Sequence, residues 1–256
     1  MIITSLVALG DSFTEGLNDE LRADGRHRGW ADRVAEELLV AQDLREIGYA
    51  NLAVRGRLMR QVVAEQVPVA AALRADLVTL GAGVNDALRR TFDLDCLATD
   101  MESGVRQLRA AGSEVLLFAF GDPARRSRVF GRISTRMAQL RSATLAIAEA
   151  YDCYVVDFWG VAVYDDDRLW SSDRLHLSAL GHRITAQAVL DALGMGTQRW
   201  QLPLSDPPRS SWRYRRSDDL VWAGTHAGPW LARRVRRVSS GEGIVPKNPA
   251  METIHR

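Results

Sequence analysis

The sequence predicts an α/β fold: a parallel sheet with helices on both faces and right-handed crossovers between strands. Three observations carry that prediction. Short apolar runs with little charge recur along the chain and end in glycine or small polar residues, as strands buried on both faces do. Between them, apolar residues fall at helical spacing. The 256 residues have room for one well-buried α/β domain and an appendage, but not for two domains of ordinary size.

The first strand is Ile2 to Leu9, closed at once by Gly10-Asp11-Ser12-Phe13-Thr14-Glu15-Gly16. This leaves Ser12 at a strand's carboxyl end, where open α/β sheets place their chemistry. Serine there also caps helices, and the stretch alone does not choose between the two roles. Asp11 reads as a turn former and Glu15 as a solvated neighbour. Asn18 to Gly29 is polar and glycine-bearing and reads as an active-site loop, and Trp30 to Val40 carries Trp30, Val34, Leu38 and Leu39 at helical spacing. Leu44 to Val54 is the second strand, with Gly56 just past its end. Leu58 to Leu73 has helical character, and Pro68 should kink it or end it early. Asp76 to Gly81 is the third strand, free of charge after Asp76, and Gly83-Val84-Asn85-Asp86 follows it.

The second half continues the alternation. Leu94 to Ala111 is a helix stopped by Gly112. Val115 to Phe120 is a fourth strand, closed by Gly121-Asp122-Pro123. Phe130 to Tyr151 lines up Ile133, Met137, Leu140, Leu145 and Ile147 on one face of a long helix. Tyr154 to Phe158 is the fifth strand, and the polar loop from Asp165 to Arg174 leads into Asp173-Arg174-Leu175-His176. Leu180 to Leu193 closes the domain as a helix. No Gly-x-Gly-x-x-Gly or Walker-type loop follows any strand, so the usual signature of phosphate cradling is missing.

The blocks around Ser12, Gly56, Asn85 and Asp173 to His176 resemble, in order, the four blocks of the SGNH hydrolases, the GDSL-type esterases and lipases. The resemblance spans roughly residues 2 to 193. Phe13 stands where the family name has leucine, a position that asks only for an apolar side chain. The resemblance implies a flavodoxin-like three-layer α/β/α sandwich with a parallel sheet of about five strands. It also implies a serine hydrolase that cleaves carboxylic esters through an acyl-serine intermediate. Ser12 would be the nucleophile, with Asp173 and His176 completing the triad, and Ser12, Gly56 and Asn85 would donate to the oxyanion. Thioesterases, lysophospholipases and carbohydrate deacetylases share the family, and no residue selects among them. The chemistry suits these residue types: a serine hydroxyl needs a base to take its proton, a carboxylate fixes that base's tautomer, and the developing oxyanion needs donors.

Composition bounds the partners. With 46% hydrophobic and 25% charged residues the chain is an ordinary globular protein, and a net charge of +1 makes no general case for nucleic acid. The basic residues are arginines apart from Lys247. Cys96 and Cys153 are too few for a disulfide framework and read as reduced, mostly buried thiols. His27 and His182 lack partners at ligand spacing, so neither a metal nor any other cofactor is expected. The Ile2 to Leu9 run lacks a basic flank and a cleavage site, and no run approaches a membrane span. A cytoplasmic enzyme with a small-molecule ester substrate is expected, its oligomeric state left open.

Residues 1–200 thus form the expected catalytic domain, and 201–256 an extension rich in arginine and tryptophan. Pro203, Pro207 and Pro208 mark a linker. Seven arginines from Arg213 to Arg237 then interleave with Trp212, Tyr214, Trp222 and Trp230. From Thr225, with Pro229 in a first turn, Leu231, Val235 and Val238 recur at helical spacing, which predicts an amphipathic helix docked on the domain. The rival reading is a non-catalytic module of the same fold that binds an anionic polymer or membrane surface through this basic tail. The complete set of Ser12, Gly56, Asn85, Asp173 and His176 weighs against it.

Overall fold

A computed structural model describes residues 2–126, 130–205 and 241–256. The chain runs β1 (Ser5–Gly10), α1 (Ser12–Glu15), α2 (Trp30–Ala41), β2 (Glu46–Asn51), α3 (Met59–Glu65), α4 (Val67–Leu73) and β3 (Leu77–Gly81). It continues through α5 (Val84–Ala87), α6 (Leu94–Ala110), β4 (Glu114–Ala119), α7 (Ser134–Ala150), β5 (Tyr154–Asp157) and α8 (Ala179–Ala192) to β6 (Asn248–His255). The strands form one sheet in the order β5-β4-β3-β1-β2-β6. Pairing is parallel from β5 through to β2 and antiparallel between β2 and β6. Because the chain steps outward from β1 in both directions, a crevice opens between the carboxyl ends of β1 and β3.

Side chains alternate across the sheet as the period of a strand requires. Leu6 and Ala8 of β1, with Leu116 and Phe118 of β4, pack with α2 and α8 through Trp30, Val34, Leu38, Ile184 and Val189. Val7, Leu9, Val78, Leu80, Val115 and Leu117 face the other way, onto α3, α4, α6 and α7. Both faces are therefore dry, which explains why the strands read as unbroken apolar runs. In α7 the buried place expected for Leu145 is taken by Thr144, whose hydroxyl donates to the Leu140 carbonyl oxygen at 2.9 Å.

The expected Leu58 to Leu73 helix is two helices that break at Gln66, with Pro68 in the first turn of α4, where its missing N–H costs nothing. The break frees Gln66 for a structural task. Its side chain is buried and pairs both ways with Gly10, accepting from the backbone N–H at 2.8 Å and donating to the carbonyl oxygen at 2.9 Å. The last residue of β1 is thereby fixed.

The sixth strand comes from residues assigned to the extension. β6 pairs with β2 along Ile47 and Ile254, Gly48 and Thr253, and Tyr49 and Glu252. Its sequence carries Pro249 and Glu252 and only Asn248 is buried, so it lacks the apolar run that identifies central strands; proline and charge are tolerated on an edge. The helix expected from Thr225 falls in 206–240, outside the described residues. Among the described residues, no helix is long and apolar enough to cross a membrane.

Just before β6, Lys247 enters the domain and pairs with the buried carboxylate of Asp32 in α2, while also donating to the His27 carbonyl oxygen at 3.0 Å. Burial pushes the Asp32 carboxyl up and the Lys247 ammonium down from their ordinary values, outweighing the attraction between them. Removing one member of such a pair leaves a buried charge uncompensated. Lys247→Ala is therefore expected to cost about 3–5 kcal/mol in urea unfolding, and a loss under about 1 kcal/mol, the level of an exposed pair, would contradict this.

Candidate active site

At the end of β1 the backbone turns straight into α1. The carboxylate of Asp11 caps that helix by accepting from the Phe13 N–H at 3.0 Å, and Gly16 ends it in the left-handed region at φ 92°. Ser12 thus stands at the first helical position, where the backbone N–H has no partner within the helix. Phe13 anchors the turn: its ring centroid lies 5.4, 5.1 and 5.2 Å from those of Trp30, Phe118 and Phe120. The Trp30 indole N–H also donates to the Phe13 carbonyl oxygen at 2.9 Å.

Across the crevice, the loop after β5 is closed by an antiparallel bridge between Trp170 and Leu177 and by the Ser171 N–H on the His176 carbonyl oxygen. It presents His176 Nε2 at 3.0 Å from Ser12 Oγ, and His176 Nδ1 at 2.7 Å from Asp173 Oδ2. The other oxygen of Asp173 accepts from the Ser171 hydroxyl at 2.6 Å and from the backbone N–H groups of Leu175 and His176, each at 2.9 Å. Burial works against this charge, but these hydrogen bonds and the imidazole hold the Asp173 carboxyl well below the usual range. An ionised carboxylate only accepts, so Nδ1 carries the proton and Nε2 offers its lone pair to Ser12. A chain so arranged can draw the proton from the serine hydroxyl as it attacks.

Asn18 and Ser171 complete this network; Asn18 opens the loop expected to border the site, but neither residue was singled out from the sequence. Asn18 Nδ2 donates to Asp173 Oδ2 at 3.1 Å and to Ser171 Oγ at 3.0 Å from a left-handed backbone at φ 68°. Only that left-handed conformation, which asparagine tolerates better than most residues, left a sequence trace.

Asn85 lies in α5, directly after β3, behind a glycine cap at φ 112°. Its amide donates to Asp11 Oδ2 at 2.9 Å and to the Arg57 carbonyl oxygen at 3.1 Å. Asp11 is therefore more than a turn former. Burial pushes its carboxyl up to about 7, against the Phe13 N–H, the His176 charge and the Asn85 amide. Neighbouring Asp86, which accepts from the Met59 N–H, is likewise pushed up by burial, to about 6. Glu15 is not solvated: it is buried and forms an ion pair with Arg55, whose N–H it also accepts at 2.8 Å.

Ser12, Asn85 and His176 border one cavity of about 160 Å³, walled largely by Val84, Leu88, Phe120, Ile133, Met137 and Trp170. Gly56 lies in the left-handed turn after β2, at φ 76°, outside this wall. His182 is a core residue that accepts from the Trp30 N–H and donates to the Leu17 carbonyl oxygen at 3.0 Å; burial lowers it to about 4 and keeps it neutral. His27 contacts the Asp19 carbonyl oxygen through Nδ1 at 3.0 Å. Among the described residues no cluster of three His, Cys, Asp or Glu side chains is placed to hold a metal ion.

The GDSL-like Lipase/Acylhydrolase family matches residues 8–184. Solved structures agree in fold. A variant of an acetyl xylan esterase from Geobacillus stearothermophilus has a TM-score of 0.65 at 23% identity, covering 78% of this chain and 100% of its own. A lipase/acylhydrolase from Enterococcus faecalis has 0.62 at 22%, covering 75% and 95%. A psychrotrophic esterase from Pseudoalteromonas sp., inhibited by monoethylphosphonate, has 0.58 at 18%, covering 75% and 97%. No functionally curated protein matches the sequence.

The raised carboxyl of Asp11 sets a pH dependence. Asp11 keeps its proton to higher pH in the folded protein than in the unfolded chain, so its contribution to stability declines as pH rises from about 4 to about 7. Asp11→Asn should remove that decline. The stability of the variant relative to wild type should rise across this window with a slope approaching about one proton, measured by denaturant titration at several pH values. A pH-independent difference would contradict it.

Proposed function

The chain belongs to the GDSL-like lipase/acylhydrolase family and is an ester-hydrolysing enzyme, and on that footing we propose that it cleaves carboxylic esters through an acyl intermediate on Ser12. The observation that carries this reading is the hydrogen-bonded chain from Ser12 Oγ through His176 to Asp173, which joins groups 164 positions apart in the sequence. His176 takes the serine proton as Oγ attacks the carbonyl carbon, and returns it to the leaving alkoxide. Asp173 holds the imidazole in the reactive tautomer and stabilises the imidazolium. Water then attacks the acyl-serine with the same histidine as base.

The oxyanion is assigned to the Ser12 N–H and the Asn85 side-chain amide, whose residues border the cavity, while Gly56, expected as a third donor, lies outside its wall. In the resting protein the Asn85 amide donates to Asp11 and Arg57, so the oxyanion has to compete with the Asp11 carboxylate for it. The apolar wall supports an acyl chain, and about 160 Å³ is small beside the roughly 300–1,000 Å³ that drug-sized ligands occupy. That supports a short acyl group. The rival reading, a surface-binding module, rests on arginines that lie outside the described residues.

Ser12→Ala and His176→Ala should each lower kcat on a short-chain nitrophenyl ester by roughly 10⁴ to 10⁶. Near-normal turnover by either variant would refute the assignment. Asn85→Ala should lower kcat by about 10² to 10³ with little change in KM; an effect confined to KM would make it a ground-state binding residue instead.

A further inference from the structure

One charged side chain in the cavity wall has no part in the hydrolytic chemistry. Arg126 follows the short turn Pro123–Arg125 after β4 and borders the same cavity as Ser12 and His176. Its guanidinium carbon lies 3.6 Å from the centroid of the Trp170 ring, so the cation sits over the aromatic face. Nη2 donates to the Arg174 carbonyl oxygen at 2.9 Å, while Nε is buried without an acceptor among the described residues.

The acids of the cavity do not neutralise it. Asp165 is engaged by Arg125, with Nε at 2.9 Å from both carboxylate oxygens. Asp122 accepts from the Ser134 hydroxyl at 2.6 Å and from the Ala124 N–H at 2.9 Å. Asp11 is held by Phe13 and Asn85. Among the described residues no carboxylate comes within ion-pair distance of Arg126. Burial lowers its pKa to about 10 against the attraction of Asp167 and Asp165, which leaves it charged at neutral pH but poorly solvated. A planar fork of donors lying over a ring, with its Nε lacking an acceptor among the described residues, is suited to carboxylate or phosphate oxygens.

We propose that Arg126 is a specificity residue that binds an anionic group, carboxylate or phosphate, carried by the ester substrate into this cavity. The proposal rests on the ester-hydrolase reading of this cavity. It names the substrate class as anionic esters: the apolar wall takes the hydrocarbon and Arg126 takes the charge. Arg126 also touches the loop that carries Asp173, so a role in positioning that loop has to be told apart from a role in binding.

Two pairs of substrates separate the sources of the anion. With the charge on the acyl side, 4-nitrophenyl hemiglutarate is compared with 4-nitrophenyl valerate. With the charge on the alcohol side, butyrylglycerol phosphate is compared with butyrylglycerol. Wild type should favour the anionic member of at least one pair in kcat/KM. Arg126→Gln should cut that preference by about tenfold or more, mainly through KM, the scale of one charge-assisted hydrogen bond. Arg126→Lys, which keeps the charge but not the fork, should fall between the two. No preference in either pair, or an equal loss of kcat on both members with the preference intact, would overturn the proposal in favour of loop positioning alone. Calorimetric titration of Ser12→Ala with glutarate and with inorganic phosphate reads binding without turnover. Binding should weaken about tenfold when Arg126→Gln is added, and no binding of either anion would overturn the proposal. Anion binding that depends on Arg126, in a protein whose ester turnover survives Ser12→Ala, would refute the Ser12 reading and keep the anion site.

Discussion

The arrangement at the cavity depends on how closely β1 and β3 approach at their carboxyl ends. A Cβ on Gly10 would lie 2.2 Å from the Gly81 carbonyl oxygen, so only glycine allows the two backbones to meet there. Gln66 clamps Gly10 from the other side, and the chain has to turn at once into α1, with Ser12 on the outside of the turn. Phe13 faces inward and locks the turn into a cluster of rings. The same close approach brings α5, which follows β3, near enough for the Asn85 amide to reach the Asp11 carboxylate.

Two carboxylates beside this turn are driven apart by their surroundings. Asp173 is half-buried but accepts from a hydroxyl, an amide, an imidazole and two backbone N–H groups, and it stays ionised. Asp11 is more deeply buried, accepts fewer hydrogen bonds and has Asp86 nearby, so its carboxyl rises to about 7. Under the proposed function the first keeps His176 oriented throughout the reaction, while the second holds a prospective oxyanion donor in place. The separation between them comes from the count of donors set against burial.

Much of this was legible in the sequence because central strands and amphipathic helices write their burial into their residue pattern. The five parallel strands and the helices between them follow from apolar runs and helical spacing, and the strand ends pointed to Ser12 and Asn85. β6 was not legible, since an edge strand with one buried residue needs no apolar pattern. Asn18 and Asp173 meet across 155 positions, and nothing local to Asn18 foretells the contact. The pairing of Lys247 with Asp32 was hidden for the same reason. His182 shows the opposite case: a chemically suggestive residue whose two ring nitrogens are both used to satisfy backbone groups in the core.

The central claim is that Ser12 is the nucleophile that accepts the acyl group and His176 its base. The most direct measurement is intact-protein and peptide mass spectrometry after exposure to a serine-directed fluorophosphonate. The account predicts one phosphonyl adduct, on Ser12, formed quickly in wild type and not in His176→Ala. Ester hydrolysis that persists in a protein fully labelled at Ser12, or an adduct on another serine that abolishes activity, would contradict it.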